Sequence, residues 1–124
     1  MLNKKILLVL AVFWTSLVTY LSLATVDTSI GSSIHINNKD KIVHFVFYFL
    51  LSVLWIFYLS RNQLHYKISL IIMLAAIVYG LIMEVFQGVF TATRTTDLFD
   101  VFANSFGAIS GWLLTRIYLQ NKRL

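Results

Sequence analysis

The chain has 124 residues with no cysteine, no proline and only five acidic side chains, against ten lysines and arginines. Without cysteine there are no disulfides, thiolate metal sites, thiol nucleophiles or lipidated cysteine anchors. Without proline, any helix is free of proline kinks. The net charge of +5 could suggest nucleic acid. However, Lys4, Lys5, Arg61, Lys67, Arg116, Lys122 and Arg123 are scattered at segment ends instead of forming a stripe, so no nucleic-acid partner is expected.

What the chain has in abundance is apolar surface. It is 59% hydrophobic with a mean hydropathy of +0.81, whereas a soluble domain is about 45 to 50% apolar. Crossing the hydrocarbon core takes about 20 mostly apolar residues per helix. Four such stretches can be marked, at 6–24, 42–60, 68–90 and 98–119. Backbone amides in lipid need internal partners, and runs of this length meet that need only as helices. The short alternating segments of a membrane barrel are absent. The expected fold is all-α: a single-domain, integral membrane four-helix bundle over residues 1–124, in contact with the lipid bilayer.

Charge sets the expected orientation. The N-terminus, the 61–67 connection and the C-terminal tail hold seven basic residues and no acid, while Lys39, Lys41 and Arg94 in the other connections are offset by Asp27, Asp40 and Asp97. The positive-inside rule then places both termini in the cytoplasm, and four crossings agree with that parity. A rival reading makes residues 1–24 a cleaved signal peptide, with Lys4 and Lys5 before the apolar run and Ser22-Leu23-Ala24 as a cleavage site. Its apolar run is longer than the usual core of about 7 to 15 residues.

The few polar residues in the spans are distributed unevenly. Residues three or four apart share a helix face, which applies to His44 with Tyr48, to Glu84 with Gln87, and to Asp97, Asp100, Asn104, Gly107 and Gly111. Measured from the expected outer ends, His44, Gln87 and Asp100 sit roughly 5 Å deep, and Tyr48, Glu84 and Asn104 roughly 10 Å deep. Three segments thus deliver polar groups to one depth near the extracytoplasmic face of the cell membrane. An ionisable group in hydrocarbon costs roughly 2.5 to 3.5 kcal/mol on insertion scales and is retained when it is paired or used. Asp97 and Asp100 also have the spacing of a helix cap and its first-turn acid. Gly107 and Gly111, and in helix three Gly80 and Gly88, give small surfaces for close helix approach.

These residues suggest proton transfer, with Glu84 as general acid, His44 as its exchange partner and Asp100 beside them. The competing reading is a structural hydrogen bond tying helices together, worth about 0.6 to 2 kcal/mol in a membrane. Arg94, in the short loop before helix four, can reach over the site, where its planar fork suits a carboxylate or phosphate, or it can pair with Asp97, Asp100 or Glu84. His44, Glu84 and Asp100 would also make a nitrogen and oxygen donor set for zinc or manganese. No closely spaced motif such as His-Glu-x-x-His supports that, so no metal and no other cofactor is assigned.

The run Asp40-Lys41-x-x-His44-x-x-x-Tyr48, then Glu84-x-x-Gln87, then Arg94-x-x-Asp97-x-x-Asp100-x-x-x-Asn104-x-x-Gly107-x-x-x-Gly111, resembles the VanZ-like family of small bacterial membrane proteins. The resemblance covers helices two to four and their loops. The chain departs from the family's usual pattern in lacking a proline shortly before Arg94 and in having Ser52 where a glycine is common. The family is named after a protein associated with teicoplanin resistance, and the resemblance implies a cell-envelope role without an established chemistry. Two functions follow as expectations. One is a site that binds or modifies an amphiphilic or lipid-linked envelope molecule, with Arg94, Gln87, Asn104, Tyr48, Asp97, Lys41 and Asp40 binding it. The other is a noncatalytic interaction protein whose polar cluster is a structural lock, with a homo-oligomer left open.

Overall fold

The computed structural model describes residues 2–24, 39–60, 65–91 and 96–122, and of Lys39 and Asp40 the backbone alone. These residues form four α-helices and no strand: α1 (Lys4–Leu23), α2 (Lys39–Leu59), α3 (Tyr66–Phe90) and α4 (Leu98–Asn121). Helices form at all four stretches expected from the sequence, with two or three residues added at several ends. α2 begins at Lys39 instead of residue 42 because a hydropathy pattern marks only the lipid-facing part of a helix, and hydrogen bonding continues past the apolar border.

The ends follow local chemistry. The Asn3 side chain accepts a hydrogen bond from the Lys5 amide and starts α1. Asp97 caps α4 by accepting from the Phe99 amide at 2.9 Å, and Asp100 adds an acid in the first turn. α1 and α3 each stop where the next residue, Ala24 or Thr91, becomes extended.

α1, residues Lys41–Leu59 of α2, and α3 are long and apolar enough to cross a membrane. α4 has the length, 24 residues or about 36 Å of rise, but a lower apolar content, because it carries Asp100, Asn104, Ser105, Ser110, Thr115 and Arg116. Its outward face is nonetheless apolar, with Phe99, Phe102, Phe106, Leu113, Leu114 and Ile117 all exposed. The outer surfaces of the other helices are of the same kind, as at Val9, Phe13, Ile71 and Val89. Large apolar faces turned outward on every helix fit a lipid solvent.

The interior is thin. Val18, Tyr48, Leu51, Met73, Ala76 and Ala108 form the buried apolar cluster, with Trp14, Trp55 and Trp112 packed against it. α2 and α4 are the most closely packed pair, α1 lies against α2 and α3, and among the described residues α1 does not reach α4. The α2–α4 contact is made possible by glycine. A β-carbon at Gly107 would collide with the Phe45 carbonyl oxygen, and one at Gly111 would lie 2.6 Å from the Phe49 carbonyl oxygen. Ser52, the departure from the family's glycine, is fully buried at this seam and donates to the Ala108 carbonyl at 3.1 Å.

Each tryptophan also donates across helices. Trp14 Nε1 bonds the Phe47 carbonyl at 2.9 Å, Trp55 Nε1 bonds Thr15 Oγ1 at 3.0 Å, and Trp112 Nε1 bonds Ser69 Oγ at 3.2 Å. In lipid an indole N–H has no water to bond, which explains why these residues sit within the spans instead of at their borders.

Candidate functional site

The first half of α2, the last turns of α3 and the first turns of α4 meet at one end of the bundle, and their polar residues meet with them. His44 of α2 sits at the centre. Its Nδ1 lies 3.0 Å from Asn104 Oδ1 of α4 and 3.8 Å from Glu84 Oε1 of α3, while its Nε2 lies 3.6 Å from Asp100 Oδ2 of α4. His44, Glu84, Asp100 and Asn104 are all buried, Glu84 and Asn104 to 1% exposure. The imidazole therefore lies between two carboxylates, one facing each ring nitrogen.

The arrangement fixes the ring chemically. An amide oxygen can only accept, so Nδ1 donates to Asn104, and Nε2 faces the Asp100 carboxylate. Helix periodicity produces this placement. Asp100 and Asn104 are one turn apart on α4 and address the two sides of the ring, while the Gly107 and Gly111 contacts bring α4 close enough for short side chains to reach α2.

The two residues just before α4 lie against Glu84. The Asp97 amide donates to Glu84 Oε2 at 3.3 Å, and Thr96 Oγ1 donates to the Glu84 carbonyl at 3.1 Å. Gly88 makes room for this, since a β-carbon there would collide with Thr96 Oγ1. Lys41, one turn before His44, lies 3.5 Å from Asp97 Oδ2 and 3.8 Å from Asp100 Oδ1. Its ammonium and Asp97 are partly exposed and form the rim, with Asp100 below them.

Tyr48 lies one turn below His44 and is 1% exposed. Its ring and the Asn104 amide both pack on Gly80, where a β-carbon would lie 3.1 Å from Tyr48 Cε1 and 3.3 Å from Asn104 Nδ2. Three buried polar atoms of this group, Tyr48 OH, Glu84 Oε1 and Asn104 Nδ2, have no hydrogen-bond partner among the described residues. Gln87 is placed differently from the sequence expectation. It is buried, but its Nε2 donates to the Ser22 carbonyl at 3.0 Å, tying α3 to the end of α1. Arg94 lies outside the described residues, as does the side chain of Asp40.

Sequence reading gave no role to Ser22 or Ser52 here. Ser22 takes part through its backbone, which no residue type signals. Thr96 also contributes, by its bond to the Glu84 carbonyl.

An apolar cleft of about 400 Å³ between α2 and α4 is lined by Ile42, Phe45, Ala103, Phe106 and the rim residue Lys41. A second cavity of about 350 Å³, lined by Thr15, Leu51, Trp55, Ile71 and Tyr79 among others, shares no wall residue with the cluster.

The unpartnered Tyr48 hydroxyl gives a prediction. Tyr48→Phe removes no hydrogen bond made among the described residues and keeps the ring packed on Gly80. Thermal unfolding in detergent should therefore stay within about 0.5 kcal/mol of the parent. A loss well beyond that would mean the hydroxyl is a structural tie.

The chain is 38% identical over 82 residues to an uncharacterized protein, C11E3.10, of Schizosaccharomyces pombe. The match covers 64% of this chain and 48% of that protein, so the chain spans about half the length of the relative. No solved structure matches the chain. The model of the VanZ/LLP1 family matches residues 3–119, from the start of α1 to the last turn of α4, and takes in every residue of the polar cluster. This chain belongs to the VanZ/LLP1 family.

Proposed function

We propose that this VanZ-type membrane protein binds the polar head of an amphiphilic membrane molecule at the His44, Glu84, Asp100 and Asn104 cluster, with all four helices crossing the bilayer. The cluster then lies near the extracytoplasmic face and both termini are cytoplasmic, as the charge asymmetry favours. Lys41 at the rim faces the head group, and the apolar cleft lined by Ile42, Phe45, Ala103 and Phe106 takes part of a chain. Arg94, whose planar fork suits a phosphate or carboxylate, adds a second cation.

The single supporting observation is the set of buried polar atoms at Tyr48, Glu84 and Asn104 that lack a partner among the described residues. A purely structural lock between helices is stable when every buried polar group is paired, because each unpaired one retains its desolvation cost. Here one acceptor and two donors are left over within one packed group. Because the relative comes from Schizosaccharomyces pombe, not a bacterium, the proposal commits to a membrane amphiphile in general. Teicoplanin resistance through a lipid-linked envelope precursor is its narrower, bacterial form.

The test is lipid retention. Protein purified in mild detergent should carry an anionic lipid or lipid-linked molecule identifiable by mass spectrometry. His44→Gln and Lys41→Ala should reduce that amount about tenfold, which corresponds to about 1.4 kcal/mol. Equal lipid content in parent and variants, at equal membrane abundance, would sink the proposal. A deletion strain compared for envelope lipids and teicoplanin sensitivity tests the narrower form.

A further inference from the structure

We infer that His44, Glu84 and Asp100 bind one divalent transition-metal cation of the zinc or manganese type, and that this cation is what holds an anionic head group. The inference rests on the cluster being a ligand site and names what that site takes. Each of the three residues offers one ligand atom, the three atoms lie within 4.8 Å of one another, and all three residues are buried. An imidazole nitrogen with two carboxylate oxygens suits zinc and manganese better than the all-oxygen sites of calcium or magnesium.

Two further observations point to a cation. Glu84 Oε1 is a buried carboxylate oxygen 3.8 Å from the His44 ring with no hydrogen-bond partner among the described residues. Such an atom needs a donor or a cation. His44 is also held as a metal-binding histidine usually is, with one ring nitrogen bonded to a neighbouring oxygen, here Asn104 Oδ1. The other ring nitrogen, Nε2, faces Asp100.

Metal–ligand distances near 2.1 Å put donor atoms at most about 4.2 Å apart. On binding, Glu84 and Asp100 would turn toward the cation to close the remaining gap. Lys41 is already nearer to Asp97 than to Asp100, so it can keep that partner when Asp100 turns to the metal. No short sequence motif announces the site, because its ligands come from three different helices.

The experiment uses the full chain in detergent, stripped with a chelator and titrated with ZnCl2 or MnCl2, with bound ion read by calorimetry and elemental analysis. The parent should take up a single equivalent. Glu84→Gln and Asp100→Asn should weaken binding by about tenfold or more, the scale reached by losing even an outer-shell partner. His65→Ala, which removes a histidine at the opposite end of α3, should leave binding unchanged. Folded parent protein that takes up neither ion overturns the inference, as does uptake that depends on His65 and not on Glu84. The two readings fail separately: lipid retention without metal uptake removes the cation alone, whereas metal uptake without lipid retention or an envelope phenotype removes the head-group function.

Discussion

Gly107→Val should prevent the protein from accumulating in membranes, and Gly107→Ala should already lower its unfolding free energy by about 1 to 2 kcal/mol. Two effects oppose each other at this position. Replacing a helical glycine with alanine stabilises a helix by about 1 kcal/mol through backbone entropy. Overpacking a close contact costs about 1 to 3 kcal/mol, occasionally more. The steric effect wins at Gly107 because the obstacle is backbone: the new β-carbon meets the Phe45 carbonyl oxygen and lies 3.0 Å from the Phe49 amide nitrogen. Neither atom can rotate away, so α2 and α4 must separate. His44 is the residue before Phe45, and the His44–Asn104 bond of 3.0 Å spans the same seam. Separation of the helices should therefore disrupt the cluster as well as the fold. Gly80→Ala serves as the comparison, because the atoms nearest its β-carbon belong to the side chains of Tyr48 and Asn104 and can shift by a few tenths of an ångström. Unfolding in mixed micelles, followed by helicity, should rank Gly107→Ala well below Gly80→Ala. Equal stability of Gly107→Ala and the parent would mean that α2 and α4 do not pack as described.

The glycine seam illustrates what could be read without coordinates. Gly107 and Gly111, one turn apart in an otherwise apolar helix, signal close approach, and the structure supplies the partner, which is α2. Helix count and most helix borders follow from hydropathy and from Asn3 and Asp97, since long apolar runs in lipid have few alternatives. α4 is harder to read. Its polar residues lower its apolar content below that of the other spans, and several of these residues are buried against neighbouring helices while its phenylalanines and leucines face outward.

The cluster was legible as a matter of depth. His44, Glu84, Asp100 and Asn104 fall at similar distances from their helix ends, and the rise per residue is fixed. Depth says nothing about rotation, however, and Gln87 shows the consequence. It lies at the expected height, three residues from Glu84, yet it bonds the Ser22 carbonyl of α1, a helix with no marker polar residue at that level. Backbone acceptors cannot be read from residue type, so a polar side chain bonded to one looks the same in sequence as a polar side chain in a site. The Trp14 tie is hidden for the same reason, its acceptor being the Phe47 carbonyl, whereas Trp55 and Trp112 bond the hydroxyls of Thr15 and Ser69, whose pairing depends on helix rotation.

Glu84→Gln should weaken head-group retention and metal uptake by about tenfold or more while leaving the folded protein in membranes at its normal level. Glutamine has nearly the same shape and keeps an oxygen that can accept from the Asp97 amide, a contact of 3.3 Å in the parent. The tie between α3 and the start of α4 is then preserved, along with the Thr96 bond to the Glu84 backbone, which does not depend on the side chain. What disappears is the negative charge and the strong acceptor at Oε1, the atom that lacks a partner among the described residues. If the cluster only locks helices together, the substitution is nearly neutral, because a lone hydrogen bond between membrane helices is worth about 0.6 kcal/mol on average. If the cluster holds a cation or a charged head group, losing one of two buried carboxylates weakens binding by about tenfold or more. Glu84→Leu separates the effects from the other side. It removes the Asp97 acceptor as well, so stability and binding should both fall. Parent-like lipid and metal content in Glu84→Gln, together with a destabilised Glu84→Leu, would establish the carboxylate as a structural tie and end the case for a ligand site.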